Sequence, residues 1–462
     1  MANVICVDFL VQQKYFMINL FKNRFLKKQF SGLLEKDSPL RQSGIYFAGA
    51  FLEKAFPFLA LPFLTSRLSP TEWGLWALFA TLNAIVFPII GLGSKFHIVR
   101  NFFEVSQEDT AQDVWHIVVI NFVIAIALSL VLGGMIYAGQ KQLFGLDLWV
   151  LLLIPVMGWL SCIRALYTLL LQFEKKPVLY TIYKSAPGIS AIILAVIILA
   201  YSNTGWTAML LATLLTNLIA SVLCFVQMAK SYPLRNMTMK LPLAWEIIVV
   251  NGPAIPHVIG ASLLSMMDRL MLESYASVKD VGIYAIGYTI GNVVALLISV
   301  NSKVWGVWIY EKLGQMTEAL KYRVIGISYL IIGIMALAAL FVIFAGSLYI
   351  KFLLDPAYHG AVDVLFWISL SSIAAAIYSI NFHYLNYLKK TWVFSFITVV
   401  ALGLNFILNI WLIPKLGYEG AAIATMITSV LQTLVIFCFN QKYYPMPWLA
   451  FWPYILRKIR RP

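Results

Sequence analysis

Charge is scarce in this chain. Only 12% of its 462 residues are Asp, Glu, Lys or Arg, while 61% are hydrophobic, whereas a soluble domain carries about 25% charged residues. Mean hydropathy is +0.83. One water-surrounded core cannot hide that much apolar surface, so the composition excludes a soluble globular domain and calls for lipid as the outer solvent. Cysteine is equally uninformative as chemistry. Cys6, Cys162, Cys224 and Cys438 are far apart in sequence, which excludes a disulfide framework or a thiolate metal site. The three in apolar runs read as small buried residues.

Other absences narrow the function. The sequence has no Gly-Lys-Ser/Thr nucleotide loop, no metal-ligand cluster and no long outer loop bearing paired carboxylates, so it reads as a non-enzyme with no expected cofactor. The net charge of +14 comes from short basic stretches between apolar runs, without any finger, helix-turn-helix or basic-aromatic sheet signature, so no nucleic-acid partner is expected. A cleavable leader is also missing, because Lys14, Lys22, Arg24, Lys27, Lys28 and Lys36 interrupt the N-terminal apolar residues. There Phe21, Phe25, Leu26, Phe30, Leu33 and Leu34 recur at helical spacing, the pattern of an amphipathic helix on the cytoplasmic leaflet. Met17 is an alternative start.

What is present is a series of long apolar runs. A span needs about 20 apolar residues, and the runs predict twelve: 43–65, 73–94, 115–138, 148–171, 178–201, 206–229, 244–267, 281–302, 324–346, 362–386, 392–413 and 418–440. With both termini inside, cytoplasmic segments hold 25 Lys and Arg and outer links hold 6. One span more or fewer would destroy this bias. The fold expected is all-α, a polytopic membrane protein of twelve helices. Its parts are a cytoplasmic segment 1–42, an N-lobe 43–229, a linker 230–243, a C-lobe 244–440 and a basic tail 441–462.

The two lobes repeat each other. A shift of 208 residues lays Leu68–Trp76 over Ala276–Tyr284, matching Ser69 with Ser277, Glu72 with Asp280 and Gly74 with Gly282, and then Ser94–Lys95 with Ser302–Lys303. A slightly different offset sets Gly205, before the sixth span, against Gly420, before the twelfth. Six spans per repeat give parallel halves, the arrangement of two-lobed transporters with substrate between the lobes.

Three stretches carry a resemblance to a known family: PFLTSRLSPTEWGLW (Pro62–Trp76), MMDRLMLESYASVKDVGIYAIGY (Met266–Tyr288) and NIWLIPKLGYEGAAIAT (Asn409–Thr425). In order and spacing the chain resembles the Wzx-type flippases for lipid-linked oligosaccharides, within the multidrug/oligosaccharidyl-lipid/polysaccharide exporter superfamily. The resemblance implies a bacterial inner-membrane protein moving an undecaprenyl-diphosphate-linked oligosaccharide from the cytoplasmic to the periplasmic leaflet. It also implies the bilayer, a polysaccharide polymerase and a chain-length regulator as partners. A cation-coupled small-molecule exporter of the same superfamily and a membrane polysaccharide polymerase or ligase stand as alternatives.

Ionisable residues inside spans are costly and so mark candidate sites. Lys54, in mid-span, is expected to attract the diphosphate, and its neighbour Glu53 to carry a coupling proton or cation, against a purely structural pairing with another helix. His257, after Pro253 and Pro256, falls on Gly49 under the repeat. Proton coupling and a hydrogen-bonded core histidine are its two readings. Arg164 and Lys184 lie about seven residues from the cytoplasmic ends of adjacent spans, either snorkelling to headgroups or forming a cationic vestibule for the diphosphate. Asp268 and Arg269 are expected at the outer surface as an interfacial or interlobe ion pair, with gating as the alternative, and Arg67 has the same two readings. Lys95 and Lys303 read as positive-inside anchors, and Trp73, Trp76, Tyr443, Tyr444 and Trp448 as interfacial anchors.

Overall fold

Ser69-Pro70-Thr71-Glu72 is a helix start written in sequence. In the computed structural model the Ser69 hydroxyl accepts from the Glu72 N–H at 3.3 Å, and the Glu72 carboxylate accepts from the Ser69 N–H at 2.9 Å. Pro70 occupies the first turn, where no donor is needed. The same device recurs one repeat later, with the Ser277 hydroxyl accepting from the Asp280 N–H at 3.1 Å.

The structure describes residues 39–92, 95–232, 238–251, 255–451 and 453. The helices are α1 (Pro39–Arg67), α2 (Pro70–Gly91), α3 (Lys95–Asn101), α4 (Gln107–Tyr137), α5 (Leu148–Leu151), α6 (Leu153–Phe173), α7 (Pro177–Tyr201) and α8 (Thr207–Ser231). They continue with α9 (Leu241–Asn251), α10 (Ile255–Tyr275), α11 (Val278–Gly291), α12 (Val294–Leu313), α13 (Glu318–Leu353), α14 (Ala361–Tyr387) and α15 (Trp392–Tyr443). A two-residue hairpin, β1 (Gln142–Leu143) and β2 (Leu146–Asp147), closes the link between α4 and α5. The amphipathic helix expected over Phe21–Leu34 lies outside the described residues, as do residues 452 and 454–462 of the basic tail.

Nine helices among the described residues are long and apolar enough to cross a bilayer, and α11 with α12, bent by 42° at their break, make up to a tenth when counted as one span. The chain is therefore a multi-pass helical membrane protein. Two expected spans are merged in α15. Its 52 residues would run about 78 Å if straight, more than twice the hydrocarbon thickness. The helix instead reverses at Gly417, which has φ 56° and ψ −134°. A Cβ on Gly420 would stand 2.5 Å from the Leu412 carbonyl oxygen, so the two arms lie back to back. The expected span 244–267 is carried by α9 and α10 on either side of residues 252–254, which lie outside the described residues.

Helices of the N-terminal half pack mainly on one another: α1 on α7, α7 on α8, and α6 on α2, α4 and α8. In the C-terminal half, α11, α12 and α13 pack on α14, and α10 on α15. Between them, Thr238 and Lys240 are tied back to α4. The Gln112 amide donates to the Thr238 carbonyl at 2.7 Å, and the His116 imidazole accepts from the Lys240 N–H at 2.8 Å. Leu337, Phe341 and Phe344 on α13 are exposed, as expected of a face solvated by lipid.

The halves meet where α2 crosses α11, and the contact is reciprocal. A Cβ on Gly74 would stand 1.9 Å from the Val278 carbonyl oxygen, and a Cβ on Gly282 would stand 1.9 Å from that of Pro70. A shift of 208 residues exchanges the two contacts, so a pseudo-two-fold axis passes between them. Only residues without a Cβ permit such an approach. The repeat also corrects one pairing. Gly205 at φ 61° faces the Glu72 carboxylate, and its counterpart is Gly417 at φ 56° facing Asp280, rather than Gly420.

Around this contact the Tyr358 hydroxyl donates to the Leu68 carbonyl at 2.8 Å, and the Tyr349 hydroxyl donates to the Phe58 carbonyl. Burial raises the Tyr358 phenol well above its ordinary pKa, helped by the nearby Glu72 and Asp355 charges, so it stays a donor at all physiological pH values. Gly74→Ala and Gly282→Ala are each expected to cost about 1–3 kcal/mol by overpacking. The double substitution should cost less than the sum, because both contacts belong to one interface. Unfolding of purified protein in detergent measures this; unchanged stability in both single variants would contradict the close approach.

Candidate functional site

Five helices of the N-terminal half enclose a cavity of about 400 Å³. Each contributes one face at helical spacing. On α1 the lining residues are Pro57, Leu61 and Leu64; on α6 Met157, Ser161 and Arg164; on α7 Pro187, Gly188 and Ala191. From α2 come Trp73, Trp76 and Asn83, from α8 Thr213, Thr216 and Asn217, and Thr289 of α11 enters from the C-terminal half. Trp73 and Trp76 are therefore cavity residues and not the interfacial anchors expected. Trp448 is buried as well, its backbone carbonyl accepting from the Tyr329 hydroxyl at 3.1 Å.

Arg164 sits in this cavity and does not reach out to headgroups. Its guanidinium donates to Asn217 Oδ1 at 2.8 Å. The Asn217 amide nitrogen in turn donates to the Met157 carbonyl at 3.3 Å and to Ser161 Oγ at 3.1 Å. This chain of bonds fixes the orientation of the cation, a precondition for recognising phosphate oxygens. Glu53 is close enough to act on Arg164 electrostatically, and its carboxylate is 3.5 Å from Ser185 Oγ on α7. Ser185 also donates to the Gly49 carbonyl at 3.3 Å, which locks α1 against α7.

Lys54 and Lys184 are both exposed. Lys54 precedes Pro57 by three residues, and Lys184 precedes Pro187 by three. On α6, which runs the other way, Arg164 follows Ser161 by three. Residues three apart lie close to one helix face, so Lys54 and Lys184 each stand about a turn from a lining residue, whereas Arg164 lines the cavity itself. Lys184 donates to the Tyr180 hydroxyl at 3.2 Å and lies 5.4 Å from that ring. His257 lies on α10, with its side chain outside the described residues. Arg67 is exposed, its guanidinium 5.8 Å from the Phe63 ring; the cross-half bond beside it is made by the Leu68 backbone.

Asp268 and Arg269 depart from expectation. They are 2% and 8% exposed and are not paired with each other in any ion pair among the described residues. Adjacent helix residues diverge by about 100°, and each finds partners on its own side. Asp268 accepts from Tyr284 Oη at 2.6 Å, Thr425 Oγ1 at 2.5 Å and Asn409 Nδ2 at 2.8 Å. Asn409 also donates to Asn405 Oδ1 at 3.0 Å, while its own Oδ1 is buried without a hydrogen-bond partner. Arg269 donates toward Met266 Sδ at 2.7 Å and covers the Tyr288 ring at 4.8 Å. These contacts all stay within the C-terminal half. Sequence reasoning missed Tyr284, Asn405, Asn409 and Thr425. The signal was there in uncharged polar residues at mid-span: Asn409 and Thr425 are the first and last residues of a stretch singled out above, and both arms of the α15 hairpin are needed to bring them together.

The fold is shared with known transporters. An inward-facing multidrug resistance MATE family transporter of the MOP superfamily superposes with a TM-score of 0.64 at 13% identity, covering 86% of this chain and 97% of that one. The lipid II flippase MurJ in an inward closed conformation gives 0.63 at 17% identity, covering 88% of each. The chain belongs to the polysaccharide biosynthesis protein family, whose profile matches residues 40–309. Among relatives, an uncharacterized membrane protein of Haemophilus influenzae is 24% identical over 375 residues, 79% of this chain and 88% of that one. The Lsg locus putative protein 1 of the same organism is 22% identical over 284 residues, 60% of this chain and 67% of that one.

An Asp268→Leu substitution would strand three buried donors at about 1–3 kcal/mol each. Asp268→Asn keeps the volume and an acceptor and should cost less. Thermal unfolding should therefore rank wild type above Asp268→Asn above Asp268→Leu; equal midpoints would contradict the bonding described.

Proposed function

We propose that this chain is a flippase of the bacterial cytoplasmic membrane. It carries undecaprenyl-diphosphate-linked oligosaccharides from the inner to the outer leaflet for surface polysaccharide assembly. The observation that carries this reading is the Arg164 guanidinium, fixed by Asn217 in the wall of the cavity. Lys54 and Lys184, exposed and three positions before the lining residues Pro57 and Pro187, would add the positive charge that a diphosphate entering from the cytoplasmic leaflet meets first. The glycan then enters the polar interior, and the lipid tail stays in the bilayer. Membership of a polysaccharide biosynthesis family supports the substrate class.

Twelve crossings with both termini inside follow from the distribution of Lys and Arg together with the α15 hairpin. Transport proceeds by alternating access: the lobes part at α2 and α11 on the outer side and close on the inner side. Glu53 and His257 are the coupling candidates, joined by Asp268, which makes no ion pair among the described residues, and Arg67 and Arg269 act at the outer gate. A polymerase and a chain-length regulator are the downstream partners. The multidrug neighbour keeps a small-molecule exporter as the second reading. Against it, among the described residues no carboxylate lines the cavity to hold a cationic drug.

In a strain lacking the gene, lipid-linked oligosaccharide should accumulate on the inner leaflet, and the intact gene but not Lys54→Ala should relieve it at equal membrane insertion. Normal transport by inserted Lys54→Ala protein would sink the role given to Lys54. Unchanged lipid-linked pools would point to the exporter, and accumulation on the outer leaflet to a polymerase or ligase.

A further inference from the structure

We infer that the cytoplasmic end of the C-terminal half holds a binding site for an anionic phospholipid of the surrounding membrane, built by Lys389, Lys390 and Lys442 around the ring of Tyr443. The site is independent of the transported substrate and rests only on the membrane orientation proposed above. It shows through a difference between the two halves.

Both halves make the same basic turn. Lys175 after α6 and Lys389 after α14 are left-handed, with φ 56° and 57°. The next N–H in each closes on a carbonyl of the preceding helix, Lys176 on Leu171 at 2.9 Å and Lys390 on Leu385 at 3.0 Å, a helix ending that places one residue in the left-handed conformation. The last turn of each half's final helix carries a third lysine, Lys230 on α8 and Lys442 on α15. These two stand equally far along the chain from the matched glycines Gly205 and Gly417.

The halves then differ by one carboxylate. In the N-terminal half Glu174, the C-cap of α6, pairs with Lys176 at 2.8 Å and accepts from the Tyr232 hydroxyl at 2.8 Å. In the C-terminal half the C-cap of α14 is Leu388, and Lys389, Lys390 and Lys442 make no ion pair among the described residues. Lys390 and Lys442 instead both stand against Tyr443, their ammonium nitrogens 5.2 and 5.7 Å from its ring centre. Two ammonium groups gathered on one ring repel each other. A phosphate accepting charge-assisted hydrogen bonds from both would relieve that repulsion.

What adjoins the lysines is apolar. Tyr443 stacks on Phe439 at 6.3 Å, and Phe439 meets Trp392 and Phe396 at 5.6 and 6.2 Å. Trp392 and Phe396 are exposed, and a crevice between the two arms of α15, lined by Ile397, Val400, Leu431 and Val435, continues the track. A free anion has no use for such a track, whereas an acyl chain does. Basic residues attract anionic headgroups to the cytoplasmic leaflet in general. Here the charge converges from two chain segments on one ring, and that ring begins an apolar groove.

The test is native mass spectrometry of the full-length protein in detergent, with dioleoyl phosphatidylglycerol and dioleoyl phosphatidylcholine as probes. Wild type should bind one phosphatidylglycerol about tenfold more tightly than phosphatidylcholine, a difference of about 1.4 kcal/mol. Leu388→Glu gives this half the carboxylate of the other and should remove the preference, as should Lys390→Gln combined with Lys442→Gln. Lys175→Gln combined with Lys230→Gln removes the same charge elsewhere and should leave the preference intact. No preference in wild type, or one that survives in Leu388→Glu, would overturn the site. Equal loss in the two lysine double variants would show diffuse attraction and overturn it too. Glycerol phosphate binding as tightly as phosphatidylglycerol would overturn the lipid as the ligand. Should the Lys390 and Lys442 double variant fail to fold, Leu388→Glu decides.

Discussion

The contact between Gly74 and Val278, mirrored by Gly282 and Pro70, is the constraint on which the rest of the arrangement depends. Two backbones approach so closely there that a single methyl group on either glycine has no room. The two halves are thereby fixed in register around a pseudo-two-fold axis. Everything that crosses between them is placed by that contact: the Tyr358 and Tyr349 hydroxyls on carbonyls of α1 and its end, and Thr289 in the wall of a cavity otherwise built by the other half. Around it the buried apolar core runs without a break from Leu68, Trp73 and Leu78 of one half to Val281, Ile283 and Tyr358 of the other.

Polar chemistry is divided between the halves. In the N-terminal half a guanidinium is held in place by an asparagine that is itself held by Ser161 and the Met157 carbonyl. Its orientation is settled before any ligand arrives. In the C-terminal half a carboxylate is held by two hydroxyls and an amide from α11 and both arms of α15, with an amide oxygen beside it left unpaired. Burying either charge in a membrane protein is costly. The hydrogen-bond sets offset part of that cost.

Much of the fold was legible in the sequence because its physical signal is one-dimensional. Apolar runs of membrane length, basic residues in alternate links and a Ser-x-x-Glu start repeated as Ser-x-x-Asp all read directly. Lys54, Arg164 and Lys184 were legible as charges inside apolar runs; Arg164 lines the cavity, while Lys54 and Lys184 are exposed. Other features required three dimensions. Asp268 and Arg269 look like an ion pair because they are adjacent, yet a helix sends neighbours in different directions. Asn409 and Thr425 are sixteen positions apart, and only the reversal at Gly417 sets them on one carboxylate. Trp73 and Trp76 resemble interfacial anchors at a span end, and only the packing of α2 against α6 and α11 turns them inward. The Gly205 counterpart was misplaced by three residues because a motif match cannot see which glycine adopts the left-handed conformation.

In the alternating-access cycle proposed above, the α2–α11 contact closes the outer side and must open for release. Thr71 and Lys279 are exposed, flank that contact and exchange under the 208-residue repeat. Spin labels at these two positions, in a protein whose four cysteines have been replaced, report the separation directly by double electron–electron resonance in nanodiscs. The account predicts one short, narrow distance without substrate and a second, longer population when lipid-linked oligosaccharide is added. A single short distance under both conditions, in labelled protein that still transports, would contradict it.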